Sequence, residues 1–352
     1  MHKLKNLLQH LFNMYRLKNW SENGFFWKIG VVIFTLVILS AVLVIYWGRE
    51  PDLFSIQTAT QTYLPKDKDG NKREAVVGSA VVGTTAQTIN VLLNKPGGYL
   101  RNDIFPLTYA MDNIPSWEYG VVRELREVSL ILRNEYSRSQ SQSSQIKELG
   151  EAENKLRYNT NKWMLPSSEN AYETAMKDII KYGNMIADPD NDNAQFYARA
   201  DNLVAYLDLV TKTLGDITQH LSASQDNVVI DADSINQNVS QSTNSKFIKV
   251  QKTPYMQIDN IFFETRGYCW ALLHQLKAIR IDFHDILVNK NALASLDQII
   301  NIFEYTQQPV YSPIILNGGG FGFFANHSLV MASYVSRANS GVIDLIQLLK
   351  NG

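Results

Sequence analysis

The 352-residue chain contains one cysteine, and only 19% of its residues are charged. Cys269, in "RGYCWALL", has no intrachain partner, which excludes intramolecular disulfides and a multi-cysteine zinc site. Its place in an apolar helical pattern reads as a small buried hydrophobe. Histidine is also scarce: beyond residue 47 there are His220, His274, His284 and His327. They form neither a HExxH motif nor a close i, i+4 pair, so zinc hydrolysis lacks its spacing. Walker and GxSxG motifs are missing, and no strand–helix alternation supports a Rossmann sheet. No basic excess is available for nucleic acid: the formal charge is −1. No catalytic residue, cofactor or metal is therefore expected.

The charge that is present is unevenly placed. Lys3, Lys5, Arg16, Lys18 and Lys28 face one acid, Glu22, before Ile29, which leaves −5 for the remainder. Ile29 to Trp47, "IGVVIFTLVILSAVLVIYW", then runs 19 residues without a charge. At the α-helical rise this spans roughly 28 Å, the hydrocarbon thickness of a bilayer. Phe25, Phe26, Trp27, Tyr46 and Trp47 bracket it as interfacial aromatics. The leading basic residues orient the N-terminus to the cytoplasm. A basic region this long, with no small-x-small site after Trp47, predicts a retained anchor and not a cleaved signal peptide. Upstream, Leu4, Leu7, Leu8, Leu11, Phe12 and Tyr15 share a helical face, either as an interfacial helix or merely as the carrier of the orienting charges.

The expected organisation is a cytoplasmic basic amphipathic segment (1–28), a transmembrane helix (29–47), a linker (48–75) and an all-α, multi-helix bundle (76–352). A flexible polar region is expected at about 222–255. Val82, Thr85, Ile89 and Leu92 repeat at helical spacing until "NKPGG". A second helix, starting at Ser116 as N-cap, carries Val121, Leu125, Val128, Leu132 and Tyr136, with Arg123 and Glu127 paired outside. Phe196, Ala200, Leu203, Leu207, Val210, Leu214, Ile217 and Leu221 form a heptad seam, widened enough to favour an antiparallel bundle over an intermolecular coiled coil. Three further helices are read from Ile258, Leu293 and Leu329 onward.

Chemistry is harder to find. Asp188, Asp190 and Asp192 open like a calcium loop, but Asn193 and Arg199 stand where the glycine and the bidentate glutamate belong. Helix capping by Asp192 or Asn193 explains them better. "RIDFHDIL" reads as an exposed polar turn. The stretch "SPIILNGGGFGFFANHS" (312–328) is read first as tight inter-helix packing or a hinge, with Phe321, Phe323 and Phe324 buried. A pocket with Asn326 and His327 as its polar groups comes second, and superficial membrane insertion third. Asn326 or Ser328 is expected to cap the last helix.

Several strings together resemble an uncharacterised family of single-pass inner-membrane proteins of Gram-negative bacteria: "KPGGYLRNDIFP", "DNIPSWEYGVV", "SRSQSQS", "FYARADNL", "NKNALASL" and "ILNGGGFGFFANHSLVMASYVSRAN". The resemblance implies an inner-membrane anchor and a periplasmic helical domain, and no established reaction. The leading expectation is a non-enzymatic envelope component bound to the lipid bilayer, docking other envelope proteins or itself. Its docking surface or pocket would use Asp112, Trp117, Gly318, Gly319, Gly320, Gly322, Asn326 and His327. The rivals are an envelope hydrolase or lipid- or glycan-modifying enzyme built on Asp112, Glu118, Glu264, Arg266 and His327, and a lipid or small-molecule carrier.

Overall fold

A computed structural model describes residues 24–66, 70–103, 111–139, 145–191, 194–224, 227–230, 248–251, 253–312, 314–319 and 322–351. The amphipathic segment before Gly24, Asp192 and Asn193, residues 231–247, Gly320 and Phe321 lie outside them. The chain is all-α. Helix α1 (Phe25–Trp47) is long and apolar enough to cross a membrane, and only its Val31 is buried. Then follow α2 (Ile56–Tyr63), α3 (Ser79–Asn94), α4 (Asn113–Ile131, prolonged by a π-helical turn to Tyr136), α5 (Lys147–Leu156), α6 (Ser168–Ile186) and α7 (Ala200–Ser222). A two-stranded antiparallel ribbon, Asn227–Ile230 with Ile248–Gln251, precedes α8 (Ile258–Asp282), α9 (His284–Asn289), α10 (Leu293–Thr306) and α11 (His327–Asn351).

Helix α8 is the axis of the bundle. Every residue from Thr265 to Leu276 is buried, so it is enclosed on all faces, as only a central helix can be. Helix α4 lies parallel to it, with Tyr136 against Phe283 at one end and Ser116 bonded to Asn260 at the other. The two backbones touch. A Cβ on Gly120 would sit 1.9 Å from the Glu264 carbonyl oxygen, and one on Gly267 would sit 1.9 Å from that of Trp117. Only glycine on both helices permits this approach.

The heptad seam packs inside the bundle, where Leu203, Leu207, Val210, Leu214, Ile217 and Leu221 are buried. Helices α7 and α11 form one of the largest helix pairs. Helix α4 begins one turn before Ser116, because Pro115 in a first turn lacks only an N–H that has no helical partner anyway. Ser116 instead bonds back to the Asp112 carbonyl. Arg123 and Glu127 are not paired with each other. Arg123 reaches Asp216 and Glu264, while Glu127 accepts from Thr213 and Tyr268.

Residues 48–64 are not a linker. Phe54 stacks on His274, with ring centroids 3.9 Å apart, and α2 buries Ile56, Ala59 and Thr60 against α3. Nor is Asp282 part of an exposed turn. It accepts the Val81 N–H at 2.7 Å, so a carboxylate from α8 caps the start of α3. His284 and Asp285 beside it are exposed. Of the three alternating aspartates that resemble a calcium-loop opening, Asp188 is paired with Arg73.

Candidate functional site

Helices α4, α6, α8 and α11 start at the end of the bundle where α1 enters, and α3, α5, α7 and α10 finish there. The joint with α1 is built from three contacts. First, "NKPGGYL" turns after α3 with Gly97 and Gly98 at positive φ, and Trp47 fills the space over Gly97. A Cβ on Gly97 would meet the indole at 2.9 Å. The turn is pinned from inside by Lys95 and Glu118, both side chains fully buried, at 2.6 Å. Glu118 also accepts the N–H groups of Leu100 and Arg101, and Lys95 donates to the Gly98 carbonyl. Burial holds the Glu118 carboxyl above its ordinary pKa, with the ammonium and two backbone donors opposing that rise only in part.

Second, Arg266 grips Glu50 two-pronged, Nε to Oε1 at 2.8 Å and Nη2 to Oε2 at 2.5 Å. Its Nη1 donates to the carbonyls of Thr306 and Gln308, so the guanidinium fork ties α1, α8 and α10 together. Third, the Phe54 N–H donates to His274 Nε2 at 3.1 Å. Nε2 is thereby the acceptor, and Nδ1 carries the proton toward the Trp270 carbonyl at 2.7 Å. Burial lowers the His274 pKa to about 4, which keeps the ring neutral and suited to this bridging role.

Beside the joint opens a cleft of about 690 Å³, with Arg49, Asp52, Asn113, Asp259, Gln307 and Ser312 as polar lining and Phe263 and Ile315 among the apolar. Asp112 precedes the lining residue Asn113 at the start of α4 and is not itself part of the lining. Burial and the nearby Asp259 carboxylate raise its pKa. A second, more apolar pocket of about 400 Å³ lies behind Arg266, between Phe262, Tyr311, His327 and Tyr334.

The glycine–aromatic stretch is a narrow loop between α10 and α11. Asn317 and Asn326 face each other across its base, where the Gly318 N–H donates to the Ala325 carbonyl. Asn326 spends its whole amide there. Its Nδ2 donates to Asn317 Oδ1 and the Gly318 carbonyl, and its Oδ1 accepts the Leu329 N–H and caps α11. His327 Nδ1 accepts the Leu316 N–H. A Cβ on Gly318 would collide with the Phe324 carbonyl oxygen at 2.0 Å, whereas Gly319 and Gly322 face open space. For the two described phenylalanines the expected burial is reversed: Phe323 is fully exposed and Phe324 is 71% exposed. Among the described residues of the loop, tight packing is seen at its base.

Trp117 does not belong to a surface. It is fully buried, edge-on to Trp270 at 5.2 Å, because it continues the Val121–Leu125–Val128 face by one turn. The residues of the rival enzyme reading are engaged in structural contacts: Glu118 holds Lys95, Glu264 holds Arg123, Arg266 holds Glu50, and His327 closes the loop base, although Arg266 and His327 line the same second pocket. Among the described residues no three His, Cys, Asp or Glu side chains are grouped to hold a metal ion. Sequence reasoning missed Glu50, Phe54 and His274, whose partners lie some 220 positions away, and it missed Glu124. That carboxyl, fully buried with Tyr206 donating to Oε1 at 2.8 Å, is pushed up to about 8 by burial.

These features define an all-α protein: one long apolar helix at the N-terminal side, clamped to the end of a helical bundle. Residues 20–352 match the family model described as "Uncharacterized protein conserved in bacteria (DUF2333)", and the chain belongs to that family. Searches of the curated proteins and of the solved structures returned no match.

Proposed function

We propose that the protein is a single-pass component of the bacterial inner membrane. Its N-terminal segment is cytoplasmic, and its helical domain stands in the periplasm as a non-catalytic docking platform of the cell envelope. The joint carries this reading. A segment that merely tethered or exported a domain needs no socket, whereas here Trp47, Glu50 and Phe54 are each seated in one. Three seats fix the domain's pose relative to the anchor, and a fixed pose serves a surface that must meet a partner in the same membrane. The cleft of about 690 Å³ beside the joint is where that partner docks, since Arg49 to Leu53, directly after α1, line one side of it and it mixes apolar walls with charged groups of both signs. The engagement of Glu118, Glu264 and Arg266 in structural pairs favours docking over hydrolysis.

The test is a photo-crosslinking amino acid at Asp52 or Ser312 in intact cells, with Val288 at the far end as control. A discrete adduct, to another envelope protein or a second copy, from the cleft positions alone is the expected result. Monomer throughout would refute docking. An enzyme would be indicated if the purified chain turned over an envelope lipid or glycan and Asp259→Asn abolished it. Topology is checked separately with a C-terminal reporter active only outside the cytoplasm; its silence would overturn the orientation.

A further inference from the structure

Six aromatic side chains after Trp47 are strongly exposed among the described residues: Trp163, Tyr255, Tyr305, Tyr311, Phe323 and Phe324. All six lie toward the end of the bundle that α1 enters. Trp163 is in the α5–α6 loop, which is fastened beside the Trp47 socket by Tyr99 donating to Thr160 O and Asn102 to Lys162 O. Tyr255 precedes the first residue of α8, and Tyr305 is in the last turn of α10. Tyr311, Phe323 and Phe324 belong to the connection from α10 to α11, whose base is held to the end of α7 by Asn317 donating to Ser224 O. Met164 and Leu165, 60% and 85% exposed, adjoin Trp163, and Met256 adjoins Tyr255. The opposite end exposes aliphatic groups, such as Val77, Ile281 and Val288, and no large aromatic ring among the described residues.

Water does not explain this segregation. Two adjacent exposed phenylalanines and a Trp-Met-Leu tip are groups that something covers. Trp and Tyr are enriched where a bilayer meets water, and Trp, Phe and Leu are the side chains that interfacial segments bury there. The end also carries Asp52, Asp112 and Asp259 alongside Arg49 and Lys162, so it lacks the basic excess that charge-driven lipid binding uses. From these observations we infer that the domain rests on the membrane surface by two apolar feet, Trp163–Leu165 and Phe323–Phe324, which insert into the interfacial layer of the bilayer that α1 crosses. The occupant is the lipid surface itself. The inference rests on the membrane reading of α1, and it turns one point of attachment into three, which fixes the orientation of the cleft.

The experiment uses the full chain in phosphatidylethanolamine–phosphatidylglycerol liposomes, with nitroxides on single introduced cysteines. Cys269 is buried, and its thiol, pushed up to about 12, stays unlabelled. Labels replace Phe323, Leu165, Val288 (far end) and Leu39 (within α1), and oxygen and water-soluble nickel collisions give depth. Labels at 323 and 165 are expected to lose nickel access and gain oxygen access, roughly 5 to 10 Å into the headgroup boundary, with 288 fully aqueous. If 39 reads as hydrocarbon while 323 and 165 read as water, the feet are refuted and the anchor stands. If 39 is also aqueous, both readings fall. Shielding at 323 and 165 that disappears on dilution of protein in lipid assigns the patch to a protein partner and overturns the inference.

Discussion

The crossing of α4 and α8 sets a sharp test of the packing. A methyl group at Gly120 would lie 1.9 Å from the Glu264 oxygen and 2.6 Å from the Tyr268 nitrogen, both backbone atoms that no rotamer change can move aside. Ordinary carbon contacts begin near 3.4 Å. Gly120→Ala therefore forces the two central helices apart by up to ~1.5 Å, loosening Trp117 against Trp270 and the buried rows beside them. Overpacking of this kind costs about 1–3 kcal/mol, and the backbone-to-backbone geometry places it at the upper end. The better helix propensity of alanine returns about 1 kcal/mol. A net loss of about 2 kcal/mol is expected for Gly120→Ala, and the same for Gly267→Ala. Gly215, within α7, supplies the internal control because nothing lies within 4 Å of its Cβ position. Gly215→Ala is expected to stabilise by about 0.4–1 kcal/mol. Denaturant unfolding of the full chain in micelles, read by the buried tryptophans, decides the matter. If Gly120→Ala unfolded within 0.5 kcal/mol of the parent, near the ordinary spread of surface changes, the interlocked crossing would be refuted.

Glu124 predicts a pH dependence. Its folded pKa, about 8, exceeds the ordinary 4.5, so the folded state holds the extra proton between those values. Its contribution to stability is complete below pH 4.5 and lost as pH rises through 8, by at most ~5 kcal/mol. Glu124→Gln should flatten that part of the profile between pH 5 and 9, and an unchanged slope would show that Glu124 is ionised in the fold. Lys95→Met strands the Glu118 carboxylate and should cost about 3–5 kcal/mol, whereas replacing both partners with apolar residues should recover most of it. Hydrogen exchange tests the joint: the Phe54 amide, bonded to His274, should be protected well above an open chain, and Glu50→Ala should release it. Exchange at the open-chain rate in the parent would restore the linker reading.

Much of the bundle was legible because its helices obey their period. Helices α3, α7, α10 and α11 bury the spacings of 3 and 4 seen in the sequence, and Asn326 caps α11 by the ordinary rule for an asparagine before a helix. Trp117 could have been assigned as well, since it stands four residues before Val121 on a face already recognised. Attention to "WEYG" as a string of surface anchors obscured a position fixed by periodicity. The glycines of the crossing were hidden for a different reason. An isolated glycine in a helical pattern signals either tolerance or close approach, and only the partner helix, some 144 residues onward, distinguishes Gly120 from Gly215.

The joint was invisible because composition and partnership diverge there. Polar and proline-containing chain such as "GREPDLFS" has the look of a linker, and its order comes wholly from Gly97, Arg266 and His274. The glycine–aromatic loop shows the converse. Its phenylalanines have the composition of a core, yet beyond the Asn317–Asn326 base Phe323 and Phe324 stand exposed. In both segments the side chains carry a preference for water or oil, and the surroundings decide whether it is met. A linker-like stretch with three sockets is rigid, and a core-like stretch with no core to enter must find its apolar phase outside the domain. The two facts belong together under the proposed anchoring: the sockets hold the loop end toward α1, and if α1 crosses a membrane, the apolar phase nearest that end is its bilayer. Phe323→Ser with Phe324→Ser should accordingly leave the stability within about 0.5 kcal/mol of the parent, since both side chains are largely exposed, while lowering the oxygen access of a nitroxide at position 165. A large loss of stability instead would mean that the loop tip folds back onto the helices, and the membrane contact would go with it.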